Sequence, residues 1–224
     1  MRPQPPLWDA GAAGMKIVVT RAREEAGELD RRIAELGHDV EVCPLIAIDP
    51  IGPAEVDVSG YDWVIVTSPR GARELARRMR GRARRVAAIG QATAAALPQP
   101  PELVPAVSTQ EGLLAELPRP PGRVLFAGAE GARRLLVEEL DADFVALYRT
   151  RELRPAEFPE GDLVVLASAS AARAFGRLET RAPAVSIGPQ TSAAARGAGV
   201  EIVAEARTHD LEGLVAAVEE AAAR

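Results

Sequence analysis

"VIVTSPRGA", residues 64–72, is a short apolar run that stops abruptly at small polar residues. It reads as a buried strand feeding a helix, with Thr67 and Ser68 left at the junction. "VVLASASAA", residues 164–172, has the same shape about a hundred positions later. Together the two stretches set the fold: a β–α unit occurring twice.

Working outward, strands and helices alternate along the chain. "KIVVT" (16–20) reads as a strand, and Ala26, Leu29, Ile33 and Leu36 then form a helical stripe closed by Gly37. "DVEVCPLIAI" (39–48) is extended. "WVIVT" (63–67) precedes a helix over about 70–79, and "RVAAIG" (85–90) precedes the helix "QATAAAL". "ELV" (102–104) leads to "STQEGLLAEL", where Ser108 and Glu111 fit a capping box. The second half repeats the course: "RVLFAG", a helix near 131–140, "DFVALYRT", then "DLVVLAS", "AVSIG" and "EIV", each followed by a helical pattern. Such alternation predicts parallel sheets with helices on both faces.

The halves align in detail. Ser68 matches Ser168, Gly90 matches Gly188, Thr93 matches Thr191, Thr109 matches Thr208 and Gly112 matches Gly213, each pair about a hundred positions apart. A period that long argues for two similar α/β domains and against a solenoid, whose repeats run to about 20–50 residues.

Composition excludes several functions. At 47% hydrophobic and 26% charged the chain is globular, and with 4% aromatic residues its cores must be built from Ala, Val, Leu and Ile. A net charge of −5 argues against a nucleic-acid surface. One cysteine, Cys43, leaves no intramolecular disulfide and no cysteine-based zinc cage. A reducing, cytoplasmic setting is expected. No run approaches the roughly 18 apolar residues of a membrane span. "MRPQPPLWDAGAAG" (1–14) reads as a disordered extension, with Met15 opening the first strand.

The usual catalytic sets are missing. There is no GxGxxG and no phosphate loop with Lys and Ser/Thr, and "GAEGARR" (128–134) supplies two glycines only. His38 and His209 stand apart and read as surface residues. No metal site is expected. What does recur is a set of small and hydroxyl residues at strand ends and helix starts: Thr67, Ser68, Gly90, Thr93, Ser168, Ser170, Gly188 and Thr191. In an open parallel sheet ligands bind beyond those ends, where helix N-termini offer free N–H groups to a carboxylate or phosphate. Each hydroxyl equally suits the plain role of capping its own helix. Tyr148 ends the strand "FVALY". It is either a half-buried strand aromatic or a donor to a departing hydroxyl, since a phenol, with an ordinary pKa near 10, stays protonated at neutral pH. Tyr61 precedes its strand and reads as structural.

The ordered set "VTRAREEAGELDRRIAELGHDVEVCPLIAI", "DWVIVTSPRGA", "VAAIGQATAAAL", "LYRT", "SIGPQTSAAARGAGV" and "EGLVAAV" resembles the uroporphyrinogen-III synthases over residues 15–219. The resemblance implies an α/β, bilobal protein: two flavodoxin-like parallel-sheet domains joined by a two-stranded linker. Residues 15–46 with 150–224 would form the first domain and 47–149 the second. It also implies a reaction: cyclisation of linear hydroxymethylbilane with inversion of ring D and release of water. In the family scheme, loss of the terminal hydroxyl gives an azafulvene, ring D attacks through its substituted carbon, and the spiro intermediate fragments and recloses. Without enzyme the bilane closes to the type I isomer, so the protein's task is largely positioning.

No metal or organic cofactor is implied. The implied partners are the bilane itself and a transient handover from hydroxymethylbilane synthase, to a monomer, with neither nucleic acid nor membrane. The substrate carries eight carboxylates, which the family binds largely with backbone amides and hydroxyls. Thr67, Ser68, Gly90, Thr93, Gly128, Ser168, Ser170, Gly188 and Thr191 match such positions, and Arg21 in "TRAR" and Arg70 add charge-assisted contacts. Tyr148 matches the tyrosine proposed to assist departure of the hydroxyl. "ASAS" (167–170) departs from the family's more usual Thr-Ser-Pro-Ser or Ser-Pro-Ser form, and Ala127 stands where many relatives carry Arg. A rival reading is a non-enzymatic two-lobed protein closing on a small anion, which fold alone does not exclude.

Overall fold

Val64, Ile65 and Val66 form, with Trp63, a strand buried along its whole length. In the computed structural model, which describes residues 14–180 and 182–223, side chains alternate across this strand. Trp63 and Ile65 enter one apolar cluster with Leu113, Leu136 and Leu140. Val64 and Val66 enter another with Ala72 and Leu75. The strand Leu163–Leu166 divides likewise, Leu163 and Val165 toward Leu29, Ile33 and Leu214, and Val164 and Leu166 toward Ala172, Phe175 and Ala195. Period-2 alternation with helices over both faces makes a mixed α/β fold with parallel sheets.

The chain divides into two compact units, one built from residues up to Ala47 and from Glu152 onward, the other from Ile48–Arg151. The first holds five strands in the spatial order Ile202–Glu205, Ala184–Ser186, Leu163–Leu166, Lys16–Val19, Asp39–Val42. All the neighbouring pairs are parallel. Numbered along the chain this is 2-1-3-4-5 from the Asp39 edge, a doubly wound order. The second unit runs Arg85–Ala88, Trp63–Val66, Val124–Ala129, Asp143–Glu152, again 2-1-3-4. The strand Ile46–Pro50 completes that sheet's edge.

That edge pairing is antiparallel. The Ile51 N–H donates to the Leu147 carbonyl and the Leu153 N–H to the Leu45 carbonyl, so positions fall on one strand as they rise on the other. Asp49 sits 3.7 Å from Arg149 and 3.1 Å from Arg151, two cations that the strand period places on one face. The Arg151 hydrogen bond is the main reason its carboxyl titrates below the ordinary carboxylate range.

Several local expectations are corrected. The extended run 39–48 breaks at Cys43–Leu45 into two strands. "ELV" contributes a single bridge, Ala87 to Leu103, and not a strand, because Pro100, Pro101 and Pro105 flank it and carry no N–H to extend a ladder. The helix expected near 131–140 is Leu135–Leu140, after a turn closed by the Ala132 N–H on the Ala129 carbonyl. The capping box at Ser108 is not formed: Thr109 caps Gln110–Glu116 by accepting from the Gly112 N–H at 3.0 Å. Its counterpart in the second half is Asp210, on the Gly213 N–H at 2.9 Å, and not Thr208, which donates to Asp210.

Residues 1–13 of the expected N-terminal extension lie outside the described residues. Among the described residues no helix is long and apolar enough to cross a membrane.

Candidate functional site

In a doubly wound sheet the crevice opens beyond the carboxyl ends of the strands, where the chain switches from one side of its first strand to the other. In the second unit that point lies between Trp63–Val66 and Val124–Ala129. Thr67 and Ser68 follow the first of these strands, and Gly128 lies near the end of the second. A Cβ on Gly128 would stand 3.9 Å from the Thr67 Oγ1, so the two positions adjoin.

Ser68 is the N-cap of the helix Pro69–Arg78, its extended backbone leaving Oγ to accept from the Gly71 N–H at 2.9 Å. Pro69 at the first helical position gives up no hydrogen bond there. The same Oγ lies 3.0 Å from the Tyr148 hydroxyl. Tyr148 is 8% exposed. Its presence on this face results from a register shift: Gly128 pairs with Ala146, but Ala129 pairs with Tyr148, leaving Leu147 as an extra residue. Phe144 packs into the Trp63 cluster, and Tyr148 would follow it by alternation. After the bulge both Leu147 and Tyr148 pack with Val66, Ala72 and Leu75. Thus Thr67, Ser68, Gly128 and Tyr148 converge.

Arg70, one turn into the helix, has Nε 3.2 Å from Glu74, a carboxylate only 2% exposed. Glu74 also pairs with Arg77 at 3.2 Å and Arg78 at 2.8 Å. Sequence reading overlooked Glu74, because a glutamate inside "RGARELARR" looks like a solvated helix residue. Gly90 caps the short helix Gln91–Ala95 through its carbonyl, which accepts from the Thr93 and Ala94 N–H groups. Thr93 is buried. Both lie beyond the neighbouring strand Arg85–Ala88.

The first unit carries a parallel arrangement. Ser168 caps Ala169–Phe175 by accepting from the Ala171 N–H at 3.1 Å, with backbone angles within a few degrees of Ser68's. The sequence of this unit contains no tyrosine. Ser170 Oγ accepts from Arg173 at 3.3 Å. Gly188 opens the helix Pro189–Gly197, and its carbonyl accepts from the Thr191 and Ser192 N–H groups. Thr191 is buried. A Cβ on Gly188 would come 2.7 Å from the His209 ring, so this histidine covers the helix start. Its separation from Gly188 in sequence hid that placement. Ser186 and Ser192, fully buried, meet at 2.6 Å, and Ser192 donates to Glu205. Arg21 follows the strand Lys16–Val19, at this unit's own switch point. Tyr61, read as structural, donates to Asp143 at 2.9 Å beneath the Arg123 guanidinium.

Chemically, the two helix starts and their hydroxyls can bind anions, and Tyr148 can donate a proton or hydrogen bond. Among the described residues no three His, Cys, Asp or Glu side chains gather as metal ligands would.

Comparison with known proteins follows the same line. The sequence model of the family described as "Uroporphyrinogen-III synthase HemD" matches residues 27–216. Two curated relatives bear the name "Putative uroporphyrinogen-III synthase". One, from Archaeoglobus fulgidus, is 36% identical over 150 residues, and one from Methanocaldococcus jannaschii is 26% identical over 151. The matches cover 64% and 62% of this chain, which spans 64% and 63% of those relatives' lengths. A crystal structure of a mutant uroporphyrinogen III synthase from Thermus thermophilus superposes with a TM-score of 0.60 at 18% identity, over 93% of this chain and 98% of that one. That likeness is one of fold.

Proposed function

The chain belongs to the uroporphyrinogen-III synthase family, and from that premise we propose that it is itself such a synthase, closing hydroxymethylbilane to uroporphyrinogen III with inversion of ring D and loss of water. The observation that carries this reading is the Ser68–Tyr148 pair at 3.0 Å, at the carboxyl end of a parallel sheet. Ser68 Oγ already accepts from Gly71. In this reading the Ser68 hydrogen goes to the Tyr148 oxygen, and on substrate binding the phenol turns its own proton to the departing hydroxyl of the bilane. A phenol so held assists ionisation to the azafulvene and takes no part in the ring closure that follows.

The proposed carboxylate ligands are Thr67, Ser68, Arg70, Gly90, Thr93 and Gly128 in the second unit, and Arg21, Ser168, Ser170, Gly188 and Thr191 in the first. Backbone N–H groups at helix starts and hydroxyls suit carboxylates, and small residues let the ligand approach the chain. The two units are then flavodoxin-like domains joined by a two-stranded linker. We further place the protein in the cytoplasm, as a monomer receiving the bilane from hydroxymethylbilane synthase before spontaneous closure can occur.

The test is direct. Freshly made hydroxymethylbilane is supplied to the protein, and the products are oxidised and separated into isomers. Predominant type III product supports the reading. Only type I product, the outcome of spontaneous closure, overturns it and leaves the alternative, a non-enzymatic protein binding a small anion.

A further inference from the structure

Tyr148 faces Ser68 only because Leu147 is an extra residue in its strand, and a bulge of this kind has to be held. Its carbonyl points to what holds it. The Leu147 oxygen accepts from the Ile51 N–H at 3.0 Å and from the Arg78 guanidinium at 2.9 Å. Arg78 donates also to the Ile51 carbonyl and to Glu74, the latter at 2.8 Å. One planar group thus ties the bulge to the edge strand and to the helix. Arg78 is the last residue of the helix Pro69–Arg78, and Ser68 caps its other end. The same rigid element therefore grips Tyr148 twice, at the phenol through Ser68 and at the preceding carbonyl through Arg78.

Glu74 completes the device. A cation placed against two backbone carbonyls in a half-buried site needs a counter-charge, and Glu74 supplies it from the preceding turn of the same helix. Arg70 and Arg77 also pair with this buried carboxylate, whose single negative charge thus faces three guanidinium groups. Lysine could not replace Arg78, having no planar fork to reach a carboxylate and two carbonyls together.

We propose that Glu74 and Arg78 are positioning residues for the reaction: they hold the Leu147 bulge and so aim the Tyr148 phenol. The inference rests on the proposed role of Tyr148.

The experiment is a double-mutant cycle. Arg78→Lys, and the paired replacement Glu74→Leu/Arg78→Met that removes both buried charges together, are each made in the wild-type and the Tyr148→Phe backgrounds. Measured are kcat and KM for the bilane. In the wild-type background kcat should fall about tenfold with KM nearly unchanged, less than the roughly 10²-fold that a 1 Å misplacement can cost. In the Tyr148→Phe background neither change should slow the enzyme further, because no phenol remains to aim. A general packing defect would instead lower the rate equally in both backgrounds and would overturn the proposal, as would a wild-type kcat for both variants. Full activity of Tyr148→Phe alone would remove the role assigned to the tyrosine, and this inference with it.

Discussion

The hydroxyls of Ser68 and Tyr148, 80 positions apart in the chain, meet at 3.0 Å. Ser168, the matching cap in the other half, accepts from its helix in the same way, in a unit whose sequence contains no tyrosine. Both halves thus carry a serine cap at this point, and a tyrosine hydroxyl stands beside the Ser68 copy. That asymmetry separates a binding role, open to both serines, from a chemical role open to Ser68 and Tyr148.

Tyr148→Phe should lower kcat while leaving the affinity for product almost unaltered. General acid assistance contributes about 10²–10⁴-fold in many enzymes, and azafulvene formation is intrinsically easy, so the loss should lie at or below the bottom of that range. Single-turnover rates and product titrations on both proteins make the measurement. A weakened product complex with an unchanged rate would show that the phenol binds and does not act.

Replacing both Thr67 and Ser68 by Ala should weaken product binding, since each net hydrogen bond to a charged group contributes roughly 1.5–3 kcal/mol. More type I product should also escape, because a looser ring D loses its enforced orientation. Ser68→Ala alone removes a cap bond, as does Ser168→Ala, and each should cost about 0.5–2 kcal/mol of stability. Ser68→Ala additionally removes the hydrogen bond between that hydroxyl and Tyr148. Urea unfolding of the two single variants, beside the isomer ratio of the double one, separates capping from catalysis.

How much of this was legible beforehand depends on range along the chain. Strand and helix order was readable, because "WVIVT" and "DLVVLAS" carry their own apolar pattern and Ser68 and Ser168 sit at fixed offsets from it. The cap at Thr109 was missed by one residue, since Ser108 and Thr109 both carry a suitable hydroxyl and only backbone geometry chooses between them. Tyr148 was visible as a strand aromatic, though its strand runs on to Glu152 and does not end there. Its direction was not, because strict alternation would have sent it toward Phe144's face and the Leu147 bulge reverses that. Glu74 was hidden for a related reason, and so was the approach of the exposed His209 to Gly188. A residue's contact with a distant segment leaves no trace in its own neighbourhood.

The helix glycines offer a stability test with opposite signs at different positions. A Cβ on Gly112 would overlap the Val107 carbonyl oxygen, and one on Gly213 would overlap that of Thr208. Both neighbours are backbone and cannot swing aside. Gly112→Ala and Gly213→Ala should therefore each destabilise by about 1–3 kcal/mol, the usual range for overpacking. Gly27, inside the helix Arg23–Glu35, has nothing within 4 Å of an added Cβ. There the alanine should stabilise by about 0.5–1 kcal/mol through helix propensity. Denaturant midpoints of the three variants decide the matter, and a shared sign would contradict it.

Acid should release one surface pair in a defined window. Glu111 lies in the first turn of Gln110–Glu116, where a carboxylate is favoured by the helix N-terminus. Arg133 grips it with two bonds, at 2.7 and 3.1 Å, and this guanidinium is the main reason the Glu111 pKa falls from 4.5 to about 2. A carboxyl with a depressed folded-state pKa favours the folded protein above its unfolded value. That contribution fades as pH drops from about 4.5 toward about 2, where the native carboxylate itself takes up a proton. Glu111→Gln removes the titration while keeping the size of the side chain. The variant should be the less stable protein at neutral pH, and the gap to wild type should close progressively across that interval. Because the pair is solvent-exposed, added salt should narrow the neutral-pH gap as well. Thermal unfolding of both proteins between pH 7 and pH 2, at low and high ionic strength, tests each limb. A gap constant with pH would mean that Glu111 acts through packing or capping, and that its bond to Arg133 adds nothing to the stability of the fold.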